Sequence, residues 1–149
     1  MTTGQSTERR QLDLFLDGQD AFLVHEVARG LVGQDRSRAE IGLERLRAEH
    51  PFHPDLPALA VLVAALDRPA PAPATHATVT ASIEAVQQVL APAAWRLLGA
   101  DAAAFLQPSW QWLAATAAGL PFDEDHPYAH RSWLGLQYGG GSEGCSTTR

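Results

Sequence analysis

The sequence predicts an all-α protein of about seven or eight short helices, packed as antiparallel hairpins into a bundle or a short superhelical array. Two observations carry this. Apolar residues recur at the helical period through most of the chain, and glycine and proline punctuate it at about every dozen residues. Only Leu12-Asp13-Leu14-Phe15-Leu16-Asp17 alternates like a strand, and Leu12, Phe15 and Leu16 equally suit a helical turn.

Taken in order, residues 1–11 are polar and read as a disordered start. A first turn over Leu12 to Asp17 is broken by Gly18. Asp20 is suited to cap a helix from Ala21 to Val32 with Val24, Val27, Ala28 and Leu31 facing inward, and Gly33 suits its end. Gly30, inside that helix, costs roughly 1 kcal/mol relative to alanine, which is tolerable if another helix approaches closely there. From near Ser37 to His50 the spacing predicts an amphipathic helix, with Ala39, Leu43, Leu46 and His50 on one stripe and Gly42 beside them. Asp55 caps a third helix, Leu56 to Leu66, apolar nearly all round and so expected to be central.

The Pro-Ala alternation from Arg68 to Ala74 reads as a semi-rigid spacer, placing a linker at 68–77 between helical units at 12–67 and 78–138. In the second unit, Thr80 or Ser82 starts a helix to Leu90 or Ala91, and Pro92 opens one closed by Gly99. Asp101 caps Ala102 to Leu106, Pro108 opens a helix to Ala118, and Pro127 opens a last one toward Tyr138. Residues 139–149 form a flexible Gly-rich tail, read either as natural or as a chain truncated or frame-shifted where another helix was due.

Composition narrows the function classes. At 149 residues and 46% hydrophobic, the chain can bury a core without metal or disulfide. All eleven basic residues are arginine, a pattern expected from a GC-rich, bacterial coding sequence. A net charge of −6 without an Arg-aromatic stripe argues against a nucleic-acid partner. The single Cys145 excludes an internal disulfide. The start lacks the apolar core of a signal peptide, and the run Leu56 to Leu66 falls short of a membrane span. The expectation is a cytoplasmic protein without a membrane partner.

Ala39, Leu43, Leu46 and Pro51 fall where the second helix of a tetratricopeptide repeat has small, apolar, apolar and proline residues. Over about one repeat length the sequence resembles a degenerate tetratricopeptide-like hairpin. The first half departs from the family: its Leu-Gly pair falls on Glu26-Val27, its aromatic on Gly30, and Gly33 lies one residue too far from Ala39. The resemblance implies a scaffold that grips a peptide or protein, and it transfers no binding residues. A fainter internal echo pairs His50-Pro51-Phe52 with His126-Pro127-Tyr128, each before a helix, with His53 and His130 close behind. An aromatic after His-Pro is suited to plug a junction between hairpins.

Two constellations could carry chemistry or binding. His126 and His130 share a face if Pro127 opens a helix, and with Asp123 or Asp125 they could hold Zn²⁺ or Fe(II). The plainer reading makes these histidines junction residues and Asp123-Glu124-Asp125 a dipole-favoured helix start. His25-Glu26 lacks the second histidine of a zinc-protease helix, since Arg29 stands there, so Glu26 and Arg29 read as a helical charge pair. No Gly-x-Ser-x-Gly elbow and no lysine-bearing phosphate loop occur. Trp95, Trp110, Trp112 and Trp133 are many for this length. Trp110 and Trp112 cannot share a helical face, so one can be core with the other partly exposed and free to bind, the plainer reading being that all four tryptophans are core. The leading expectation is a non-catalytic protein-interaction module of helical-repeat type with no cofactor, using Trp110 or Trp112, Trp133 and Arg131, with Arg96 a further anchor. A metal-dependent enzyme, or a self-associating protein or fragment forming a homo-oligomer, are the alternatives.

Overall fold

The computed structural model describes residues 5–139, with side chains described at 18–130 and 132–137. The fold is all-α, and no strand occurs among the described residues. Two compact units result, Met1–Leu66 and Asp67–Arg149. The Gly-rich segment 140–149, with Cys145, lies outside the described residues.

In the first unit, α1 (Gln5–Val32), α2 (Arg36–Glu49) and α3 (Leu56–Ala64) follow in order. The polar start is therefore helical from Gln5, and Gly18 does not interrupt it. One glycine costs about 1 kcal/mol in a helix, less than a second nucleation would. Asp20 consequently caps nothing. It sits inside α1, where its carboxylate lies 3.6 Å from Nε2 of His53. The buried stripe of α1 is Leu23, Val27 and Leu31, with Val24 and Ala28 only half-buried.

The turn out of α1 explains the hairpin. Gln34, not Gly33, takes the left-handed conformation, with φ 54°. Asp35 N–H then donates to the Gly30 carbonyl at 2.8 Å and Gln34 N–H to that of Leu31 at 3.1 Å, a Schellman closure. Asp35 immediately begins the next helix, its carboxylate accepting from Arg38 N–H at 3.1 Å. With so short a turn, α2 runs back along α1. Gly30 meets Ala39 and Gly42 meets Val27: a Cβ on Gly30 would stand 2.6 Å from the Ala39 nitrogen, and one on Gly42 2.9 Å from a Val27 methyl. Each helix thus presents a glycine to the other.

Ala39, Gly42, Leu43 and Leu46 are buried, as the α2 stripe predicts. The outer face carries Arg36–Glu40 at 2.7 Å, Arg45–Glu49 at 3.7 Å and Arg47–Glu44, while Arg38 reaches Glu26 of α1 at 3.1 Å. That bond with Arg38 holds the Glu26 carboxyl below its ordinary range, and Arg29 adds the expected pair at 3.9 Å. α3 is not central. Leu56, Leu59, Leu62 and Val63 are buried but Val61 is exposed, because a helix at the edge of three has only one face to cover. Asp55 occupies the N-cap position without capping, being helical in backbone. No second hairpin of the α1–α2 spacing occurs among the described residues.

In the second unit, α4 (His76–Ala85), a π turn (Val86–Leu90) and α5 (Ala91–Leu98) form one run. α4 starts inside the expected linker because Thr75 and Thr78 form a reciprocal capping box. Proline at 92 explains the π turn: its ring would strike the carbonyl four residues back, and widening the turn opens that space. Ala91 N–H bonds Val86, five residues earlier. Gly99, with φ 56° and ψ −121°, closes α5 as expected.

Past Gly99, α6 (Ala102–Thr116) runs straight through Pro108, so that proline opens no helix. The carbonyl it orphans belongs to Ala104, on the exposed side, where water can satisfy it. Asp101 makes no capping bond. Pro127 opens only a 3₁₀ turn, Pro127–Ala129, before α7 (Arg131–Gly139). Val79, Ile83, Leu90, Leu98, Phe105 and Leu113 lead the core, with Ala94, Ala102, Ala117 and Ala129 fully buried between them. The run His76–Thr116 is long and apolar enough by length and composition to cross a membrane; the positive φ of Gly99 divides it into two helices.

The two glycines of α1 should respond oppositely to alanine. Gly18 is exposed with no atom within 4 Å of its would-be Cβ, so Gly18→Ala should stabilise by about 0.5–1 kcal/mol. Gly30→Ala gains the same propensity but forces α2 away, and overpacking costs about 1–3 kcal/mol. Urea unfolding followed by circular dichroism should therefore move the midpoint up for Gly18→Ala and down for Gly30→Ala.

Candidate functional site

Most of the sequence-nominated residues gather around α6 and α7 of the second unit. Trp110 is buried on α6, 8% exposed, and its ring meets that of Trp133 on α7 edge-on, centroids 6.2 Å apart at 78°. Trp133 is half-buried and holds Tyr128 at 5.1 Å and 67°. The three rings step from core to surface, Tyr128 being 57% exposed. Leu136, one turn beyond Trp133 on α7, is 72% exposed. Edge-to-face pairs of this kind contribute about 0.5–1.5 kcal/mol beyond area burial, so the outer rings stand on a braced base.

Trp112 goes elsewhere. As the two-residue offset requires, it leaves α6 on another side, half-buried, with its indole N–H donating to the Pro69 carbonyl at 2.6 Å. The Arg131 backbone opens α7, and its side chain lies outside those described. Trp95 on α5 is 54% exposed, with exposed Arg96 next to it in sequence.

The histidines separate. His126 donates its Nδ1–H to Asp123 Oδ2 at 2.9 Å. His130 does not share its face, because one 3₁₀ turn and an extended residue intervene where a helix was expected. His130 instead accepts the Ser132 N–H at 3.4 Å and packs against Phe122, centroids 5.9 Å apart. Asp125 gives its backbone N–H to Asp123 Oδ1 at 3.1 Å, closing an Asx turn. The ring stacked on His126 is His76, 6.0 Å away, whose Nε2–H donates to the Pro121 carbonyl at 2.7 Å. Thr75, as cap of α4, was the only sequence signal for His76. Among the described residues, no group of three His, Cys, Asp or Glu side chains could hold a metal ion.

The His-Pro-aromatic echo has a structural content. His53 Nδ1 accepts the Asp55 N–H at 3.1 Å just before α3, as His130 Nδ1 accepts that of Ser132 at the start of α7. Each second histidine finishes a helix start. The aromatics do not match: Phe52 is 96% exposed and plugs nothing, whereas Tyr128 packs on Trp133.

Asp123 is held below the ordinary carboxylate range, first by the His126 hydrogen bond and then by the Asp125 N–H. A depressed folded pKa stabilises above the unfolded value, near pH 4, and the contribution is lost as pH falls through the folded one. The chain matches no known protein family, curated protein or solved structure.

Two outcomes follow. The melting-temperature difference between wild type and Asp123→Asn should be fully present at pH 6 and shrink as pH falls below about 4, and a pH-independent difference would count against the bridge. Trp110→Ala should cost about 3–5 kcal/mol in chemical unfolding, as for buried aromatics generally, and release Tyr128 and Trp133 together.

Proposed function

We propose that the chain is a non-catalytic protein-interaction module whose contact face is Tyr128, Trp133 and Leu136. One observation carries the reading: exposed Tyr128 rests on the Trp133 ring, which Trp110 braces from the core, and exposed Leu136 lies one turn along the same helix. Binding energy concentrates in aromatic anchors whose conformation costs little to order, and a braced Trp-Tyr pair meets that requirement. The acidic turn Asp123-Glu124-Asp125 lies just upstream in sequence and favours a partner segment that bears arginine or lysine.

Peptide-display selection against the full chain tests this. Selected peptides should lose at least about tenfold in affinity, or about 1.4 kcal/mol, against Tyr128→Ala and against Leu136→Ala, with helicity unchanged. Equal binding to the double variant would overturn the assignment. Concentration-dependent self-association abolished by the same substitutions would make the face a homo-oligomer contact instead.

A further inference from the structure

The Pro-Ala segment, expected as a spacer, is seated on its own unit. Arg68 reaches the buried Ser109 hydroxyl at 3.5 Å, Trp112 N–H binds the Pro69 carbonyl at 2.6 Å, and His76 N–H binds the Pro121 carbonyl at 2.7 Å. The partners advance along both segments in the same order, so residues 68–76 run alongside α6 in its own direction, as a strap tied at both ends.

The strap does not fill its bed. On one side a cleft of about 250 Å³ remains, bounded by Ala70, Ala72, Val79, Ser82, Trp112 and Leu113. On the other, a cleft of about 290 Å³ remains against Ala115, Thr116, Gly119 and Leu120. Residues 69–73 are exposed outward, and 67–75 carry no helix or strand. An alternating proline chain has few N–H groups to offer and presents carbonyls and flat ring faces. A surface that reads it needs a donor beside an apolar plane, and one indole supplies both. Aromatic-lined grooves recognise polyproline segments by this chemistry, aided by the low entropy of the extended chain.

We propose that the α4–α6 groove headed by Trp112 recognises proline-rich extended segments of a partner chain, and that Arg68–Ala74 is its occupant in cis. The partner carries a basic residue followed by alternating prolines, as in Arg68-Pro69-Ala70-Pro71. Side chains larger than alanine between its prolines fill the flanking clefts. A tethered strap competes at an effective concentration in the millimolar range, so the groove opens to a partner that fills it better or to a loosened strap. This groove is distinct from the Tyr128 face, and the two assignments stand or fall separately.

The test titrates an acetylated Arg-Pro-Leu-Pro-Leu-Pro peptide into the full chain, reading the Trp112 indole N–H by NMR. In the Pro69→Gly/Pro71→Gly/Pro73→Gly variant, whose strap is no longer preorganised, the peptide should bind at least about tenfold tighter than in wild type. Adding Trp112→Phe, which keeps a ring and removes the donor, should cost at least about tenfold. No saturable shift in the triple variant, or no loss with Trp112→Phe, would overturn the proposal. Wild type supplies the control for misfolding: saturating peptide should lower the heteronuclear NOE of the Ala70, Ala72 and Ala74 amides. Unchanged NOEs would equally overturn it, since the strap would then be a fixed part of the fold.

Discussion

Close approach of helices across small residues is the constraint on which both units depend. In the first, Gly30 lies on Ala39 and Gly42 on Val27, so α1 and α2 touch backbone to side chain with nothing between them. In the second, Ala94, Ala102, Ala117 and Ala129 are fully buried among large side chains that include Phe105 and Trp110. Dispersion falls steeply with separation, so helices lacking bulky side chains gain packing energy only by coming close. The high alanine content therefore has a structural use beyond any coding bias.

That constraint leaves little to cover the edges. Between residues 69 and 122 the only charged side chains are Glu84, Arg96 and Asp101. Polar side chains there turn back on the chain: Thr116 on the Trp112 carbonyl at 2.9 Å, Ser82 on that of Thr78 at 3.0 Å, Trp112 and His76 on Pro69 and Pro121. The Pro-Ala strap is the clearest case. It lays an extended chain along an alanine-rich helix and is tied there by Trp112.

The aromatic face and the strap use tryptophan in two ways. Trp110 and Trp133 act through their rings, bracing Tyr128 from the core outward. Trp112 acts through its N–H, tying down a segment that cannot hydrogen-bond itself into a helix or sheet. Two residues apart on one helix, they serve two surfaces because the helical period sends them to different sides.

Local chemistry in the sequence determined the helical class, the α2 stripe of Ala39, Leu43 and Leu46, the Gly99 break and the opposed sides of Trp110 and Trp112. Each depends on periodicity or on one residue's backbone preference. The same local rules mislead at Gly18 and Pro108, which break no helix, at Asp20, Asp55 and Asp101, which cap none, and at His126 and His130, which share no face. Thr75 with Thr78 was a legible cap, masked by the prolines before it. Tertiary structure alone decided that the Pro-Ala segment would be a strap, that His76 would stack on His126, and that Tyr128 would be braced by Trp133. Those contacts join residues far apart in sequence or held by irregular turns. Their energy comes from surfaces that exist only once the helices have packed, and no spacing along the chain encodes it.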